Sequence, residues 1–193
     1  QNGPFFSRCD RASMYDRNAL IELIRESALQ FGDFTLASGK KAKYYLDCRK
    51  VTLDSRGAWL IGHGMYDLIE KMQVDVVGGM AIGADPITAA ILTVAAQRGK
   101  QLRGMIVRKE AKAHGTGRDV EGPVKAGDRA IIVEDVVTTG GSALAAIEKV
   151  QAAGIEVVGV LAIIDRLEGG REAFAAKGFE LQTLLTIRDF GIT

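Results

Sequence analysis

An α/β fold built on a parallel sheet is expected from three observations. From residue 74 onward, apolar runs alternate with stretches patterned as helices. The runs, such as 129–133 and 155–164, are nearly continuous rather than alternating, as strands covered on both faces require. The 193 residues contain no internal repeat, low-complexity tract or linker. Residues 12–72 are therefore read as a small N-terminal unit packed on one α/β core, residues 73–193.

The elements follow in order. Leu20, Ile21, Leu23, Ile24 and Leu29 recur at helical spacing over 16–30, with Asp16 available as N-cap. Residues 32–51 set Phe34, Leu36, Tyr44, Tyr45 and Leu46 among Gly, Ser and Lys, which reads as short strands around a turn near Ser38-Gly39. Residues 54–72 form a second helix, capped by Asp54 or Ser55. A strand over 74–79 leads to a helix with Asp85 as cap and Pro86 at its first position. A strand over 102–107 leads to a polar stretch over 110–128. A strand over 129–133 leads to a helix over 141–153, closed by Gly154. A strand over 155–164, a short helix over 168–177 and a strand over 180–187 complete the chain. Such sheets bind ligands at the carboxyl ends of their strands, so the residues after each strand carry the functional argument.

Composition narrows that argument. Hydrophobic content of 47% and charged content of 25% are those of an ordinary globular chain, not a disordered one. The net charge of +1 gives no overall pull toward nucleic acid or an acidic membrane. The longest apolar stretch, 157–164, is far too short to span a bilayer. The first residues carry neither a signal nor a transit pattern, and a cytoplasmic location is expected. Cys9 and Cys48 are too few for a disulfide scaffold, and no His or Cys cluster accompanies them. No protein-held metal is expected, and both thiols read as buried or incidental.

The strongest chemical signal is the run 131–142, Ile-Ile-Val-Glu-Asp-Val-Val-Thr-Thr-Gly-Gly-Ser. An apolar strand delivers two carboxylates, Glu134 and Asp135, to its carboxyl end. A turn through Val136, Val137, Thr138, Thr139 and Gly140 then enters a helix at Gly141 and Ser142. Free N–H groups at a helix start suit a phosphate. The hydroxyls of Thr138, Thr139 and Ser142 add donors. The carboxylates would repel that phosphate but can accept from sugar hydroxyls beside it, so the segment fits a ribose 5-phosphate. The bland alternative is a strand–loop–helix junction with an acidic cap. Neither G-x-G-x-x-G nor G-x-x-x-x-G-K-[ST] occurs.

A second signal is Arg108-Lys109-Glu110-Ala111-Lys112-Ala113-His114, next to glycines at 115 and 117. A loop that closes over a polyanion needs such crowding of cations, although a basic cluster is more often a solvated surface. The third signal is Arg166, at the end of an apolar strand. Its planar guanidinium can clamp a carboxylate, or pair with Asp165 or another neighbour; the residues alone leave both open.

The run 131–142 resembles the motif by which type I phosphoribosyltransferases bind phosphoribosyl pyrophosphate (PRPP). The Arg-Lys-x-x-Lys-x-His spacing resembles the catalytic loop of the orotate phosphoribosyltransferases in particular; purine phosphoribosyltransferases share the acidic pair but not this spacing. The resemblance covers roughly residues 17–190. It implies a type I phosphoribosyltransferase core with a small N-terminal hood. It also implies transfer of the phosphoribosyl group to orotate, Mg²⁺ carried mainly by PRPP or pyrophosphate, and a homodimer sharing the catalytic loop.

Carried onto this chain, the resemblance makes Lys112 and His114 catalytic. It assigns PRPP to Arg108, Lys109, Lys112, His114 and residues 134–142, and orotate to Thr138 and Arg166. Segment 78–86 resembles the family's pyrophosphate loop, with Gly83 where many members have lysine. Segment 34–40 resembles an N-terminal stretch with Ala37 in place of a frequent lysine, so that contact is absent or moved to Lys40. Tyr44 and Tyr45 match a segment near the pyrimidine, yet as core aromatics they need no ligand. A purine phosphoribosyltransferase, or a PRPP-sensing regulator that binds nucleic acid, is the competing expectation; no basic groove-reading helix supports the latter.

Overall fold

The computed structural model describes residues 14–35, 41–110 and 119–193. Lys112, His114, Ala37, Lys40 and the turn near Ser38-Gly39 lie outside the described residues.

Helix α1 (Arg17–Ser27) starts at Asp16, whose side chain accepts the Ala19 N–H. It stops short of the expected end, because Leu29 already pairs with Leu46 in an antiparallel hairpin, β1 (Leu29–Thr35) and β2 (Lys41–Leu46). A four-residue helix α2 (Arg49–Thr52) stands where the sequence suggested strand, and α3 (Ser55–Ile69) begins at Asp54, which caps Arg56 and Gly57. The core then alternates through β3 (Val76–Met80), α4 (Ala84–Gln97), β4 (Arg103–Val107), β5 (Val120–Glu121) and β6 (Arg129–Val137). It continues through α5 (Gly141–Ala152), β7 (Glu156–Asp165), α6 (Gly170–Ala175) and β8 (Leu181–Thr186), with a 3₁₀ turn over Ile187–Phe190.

Six strands form one sheet in the order β5-β4-β3-β6-β7-β8. All neighbours are parallel except the edge pair β4–β5. Strand alternation divides the apolar residues between two faces. Ile131 and Val133 of β6 join Leu20 and Ile24 of α1, Leu60 and Met65 of α3, and Ile87 and Ile91 of α4. Ala130 and Ile132 join Ala146, Ile147 and Val150 of α5 and Phe174 of α6. Helices from the N-terminal unit thus cover one sheet face beside α4.

Three further expectations need correction. Asp85 does not cap α4: the helix begins at Ala84 behind Gly83, and the Asp85 N–H already bonds the Ile82 carbonyl. The stretch 110–128 contains β5, held by pairing with Ile106 and Val107. Strand β6 runs through the acidic pair to Val137, because β7 pairs with it as far as Asp165. Among the described residues no helix is long and apolar enough to cross a membrane.

Candidate active site

Parallel strands place their carboxyl ends on one edge, so β4, β3, β6 and β7 deliver Arg108, the 81–83 turn, the 138–142 turn and Arg166 to the same side of the sheet. The sheet grows one way from β3 to β4 and the other way from β6 to β7. Sheets of this kind bind ligands at such a reversal, here the boundary between β3 and β6.

The candidate phosphate cradle is the turn after β6. Helix α5 has Gly140 as N-cap, at φ +82, and no side-chain cap, so its first N–H groups remain available. Gly140 supplies a left-handed conformation that other residues adopt at a cost. Gly141, Ser142 and Thr139 are exposed, and Thr138 is half-buried. Glu134, Val136, Val137, Thr138, Gly140, Gly141 and Ser142 line a small hollow of about 30 Å³. The turn is backed by α6, where a Cβ on Gly170 would stand 2.3 Å from Val137 Cγ1 and 2.7 Å from the Thr138 carbonyl oxygen.

The acidic pair splits between the two faces of the sheet, as adjacent strand residues must. Glu134 faces the cradle and is buried. Its Oε1 accepts the Asp135 N–H at 3.3 Å, and its Oε2 is enclosed. Burial, and then the Asp135 charge, push its carboxyl up to about 7. Asp135 lies on the other face. A Cβ on Gly83 would sit 3.3 Å from its Oδ1, so the glycine lets the 81–83 turn approach that carboxylate. Cys48, next to α2, is fully buried, and its thiol is pushed up by burial and then by Asp135.

Arg166 anchors the opposite rim. Its N–H donates to the Val137 carbonyl at 2.9 Å, joining it to the cradle strand. Its Nε donates to the Tyr44 hydroxyl at 2.8 Å, its Nη2 lies 2.7 Å from Glu168, and its Cζ stands 4.7 Å from the Tyr44 ring centre. Of the pairings left open by the sequence, Arg166 with Asp165 does not form, Asp165 pairing with Arg171 instead, whereas Arg166 with a neighbour does, through Glu168. Tyr44 therefore holds Arg166 as well as packing on the core, and Tyr45 is exposed rather than core.

Arg108 pairs with Glu121 at 3.2 Å, and Lys109 is exposed. Lys149 of α5 donates to the carbonyls of Arg108 at 2.7 Å and Lys109 at 3.1 Å, and to Asp119 at 2.8 Å. It ties both described flanks of the basic segment to the cradle helix, a role no local pattern signalled.

The phosphoribosyl transferase domain family matches residues 58–185. An orotate phosphoribosyltransferase from Rhodopirellula baltica is 60% identical over 183 residues, which span 92% of this chain and 95% of that protein. The chain belongs to the orotate phosphoribosyltransferase family. A Mycobacterium tuberculosis member solved with Fe(III) dicitrate superposes with a TM-score of 0.82 at 43% identity, covering 91% of this chain and 99% of its own. The same organism's enzyme in complex with PRPP gives 0.78 at 38% identity, with 91% and 99% covered. The family fold therefore extends over about nine-tenths of the chain.

Proposed function

We propose that this chain joins orotate to the 5-phosphoribosyl group of PRPP, giving orotidine 5'-monophosphate and pyrophosphate in de novo pyrimidine (UMP) biosynthesis. The observation that carries the reading is the bond from the Arg166 N–H to the Val137 carbonyl, which supports a guanidinium able to clamp a carboxylate beside a turn able to hold a phosphate. PRPP places its 5-phosphate on the N–H groups and hydroxyls of residues 138–142, and Glu134 and Asp135 accept from its ribose hydroxyls. Arg166 and Thr138 hold orotate, with the pyrimidine N1 toward C1. The N1 electron pair forms the new bond to C1 as the C1–O bond to pyrophosphate breaks, with inversion; the N1 proton passes to solvent, and pyrophosphate leaves with the C1–O electron pair. Positioning and electrostatic stabilisation of the leaving group supply the rate. Arg108 and Lys109 hold the departing oxygens, and Lys112 and His114 stabilise or protonate them.

Mg²⁺ would be carried by the substrate, held mainly through PRPP or pyrophosphate oxygens and water. Bound to the pyrophosphate oxygens, Mg²⁺ supplies charge neutralisation. Residues 12–72 act as a hood over the core of 73–193, the enzyme works as a cytoplasmic homodimer, and the loop of one subunit completes the site of its partner.

Ultraviolet absorbance tests this reading. Orotate absorbance should fall when PRPP and Mg²⁺ are added together and hold steady when either is omitted. Steady absorbance with orotate, alongside pyrophosphate release with adenine or hypoxanthine, would make the chain a purine enzyme.

A further inference from the structure

The end of β7 holds a buried carboxylate that no step of this reaction uses. Asp165 is 0% exposed. Its Oδ1 accepts the Leu167 N–H at 2.8 Å, and its Oδ2 accepts from Arg171 Nη2 at 3.4 Å. Arg171 also donates to the Leu181 carbonyl at 2.7 Å, which ties α6 to β8. Between these contacts, Leu167 has φ +59, the one positive value outside glycine among the described residues. Leucine disfavours that left-handed region, and its side chain offers no polar group to support it. The carboxylate bond to the N–H two residues on closes an Asx turn that holds the conformation.

Arg166 sits inside this turn. Its own N–H is fixed on one side by the Val137 carbonyl, and the chain beyond it is fixed by the bond from Leu167 to Asp165. An ion pair with the half-exposed Arg171 would need no such turn. A carboxylate removed from water to satisfy one strained N–H is costly unless the turn itself matters. We infer that Asp165 is a positioning residue for the pyrimidine substrate: it holds Leu167 left-handed, ends β7, and thereby aims the Arg166 guanidinium at the substrate carboxylate. The inference rests on the reading of Arg166 as the orotate ligand.

Steady-state kinetics on a small set of variants separates these roles. Asp165→Ala should raise the KM for orotate about tenfold or more, the scale of misplacing a charge-assisted pair, and move the KM for PRPP much less. Asp165→Asn keeps an acceptor for the Leu167 N–H and should restore most of the orotate KM. Arg171→Ala breaks the ion pair but leaves the turn, so it should lower the Tm without changing the orotate KM. Leu167→Val opposes the left-handed conformation while leaving every buried group in place. It should raise the orotate KM, and it carries the test if Asp165→Ala does not fold. Leu167→Gly in the Asp165→Ala background should recover affinity, because glycine adopts the conformation unaided. If Leu167→Val leaves the orotate KM unchanged, or Arg171→Ala raises it as much as Asp165→Ala does, the positioning role is wrong. Arg166→Ala is the control: an unchanged orotate KM there sinks the orotate-ligand reading itself, and the positioning role with it.

Discussion

Glu134 lines the candidate phosphate cradle, where a fully ionised carboxylate would oppose a phosphate. Its carboxyl is held up at about 7, first by burial and then by the neighbouring Asp135 charge. Near neutral pH it is therefore neutral in a large fraction of molecules, whereas an exposed glutamate would be ionised. The sign for stability follows from linkage. The folded state binds this proton more tightly than the unfolded chain, so the stabilisation is complete below about pH 4.5 and is lost as pH rises through about 7. Urea unfolding of the wild type should therefore lose up to about 3 kcal/mol from this group between those limits. Glu134→Gln mimics the neutral form and should flatten that part of the curve. A variant that keeps the wild-type slope would assign the pH dependence to another group.

At the scale of elements, the alternating core was legible because buried parallel strands must be apolar throughout. Asp16 and Asp54 were legible as caps because their roles are local, and the structure places both at helix starts. What escaped was decided by pairing partners distant in sequence. The two residues of β5 are too few to show a period, and only β4 makes them a strand. Strand β6 extends through its charged pair because β7 continues to bond it, and the resulting alternation separates Glu134 from Asp135. The sequence showed these carboxylates side by side, but their different surroundings emerge only with the helices on each face. Lys149 likewise has no local signature, although it bridges α5 to the exit of β4 and the entry of β5. Its three acceptors make it a strut between the cradle helix and the basic segment. Lys149→Met should lower kcat/KM for PRPP about tenfold, the cost of losing charge-assisted hydrogen bonds that orient Arg108 and Lys109. The variant should keep its orotate KM, which depends on the far rim. Equal losses for both substrates would indicate a general loosening of the sheet edge instead.

At the scale of the whole molecule, Arg108 and Lys109 leave β4 on the sheet edge that carries the candidate site, and Lys112 and His114 follow in the chain. Pyrophosphate departure concentrates negative charge, and a cation that meets it mainly in the transition state lowers kcat when removed more than it weakens ground-state binding. Lys112→Ala should therefore lower kcat by about two to three orders of magnitude, the scale of losing one well-placed electrostatic donor. Asp135→Asn should act differently, weakening PRPP binding measured by calorimetry while leaving the fold intact. If each subunit lends its basic segment to its neighbour, these defects lie in different halves of every site. Mixing the two inactive variants then creates heterodimers in which one site combines an intact Lys112 with an intact Asp135, and the other carries both lesions. Random exchange makes about half of the dimers mixed, each with one working site of two, so recovery should approach about a quarter of wild-type activity. Native mass spectrometry must show the mixed dimers before activity is read. Confirmed heterodimers without recovered activity would confine each segment to its own subunit, and a monomer at assay concentration would rule out sharing altogether.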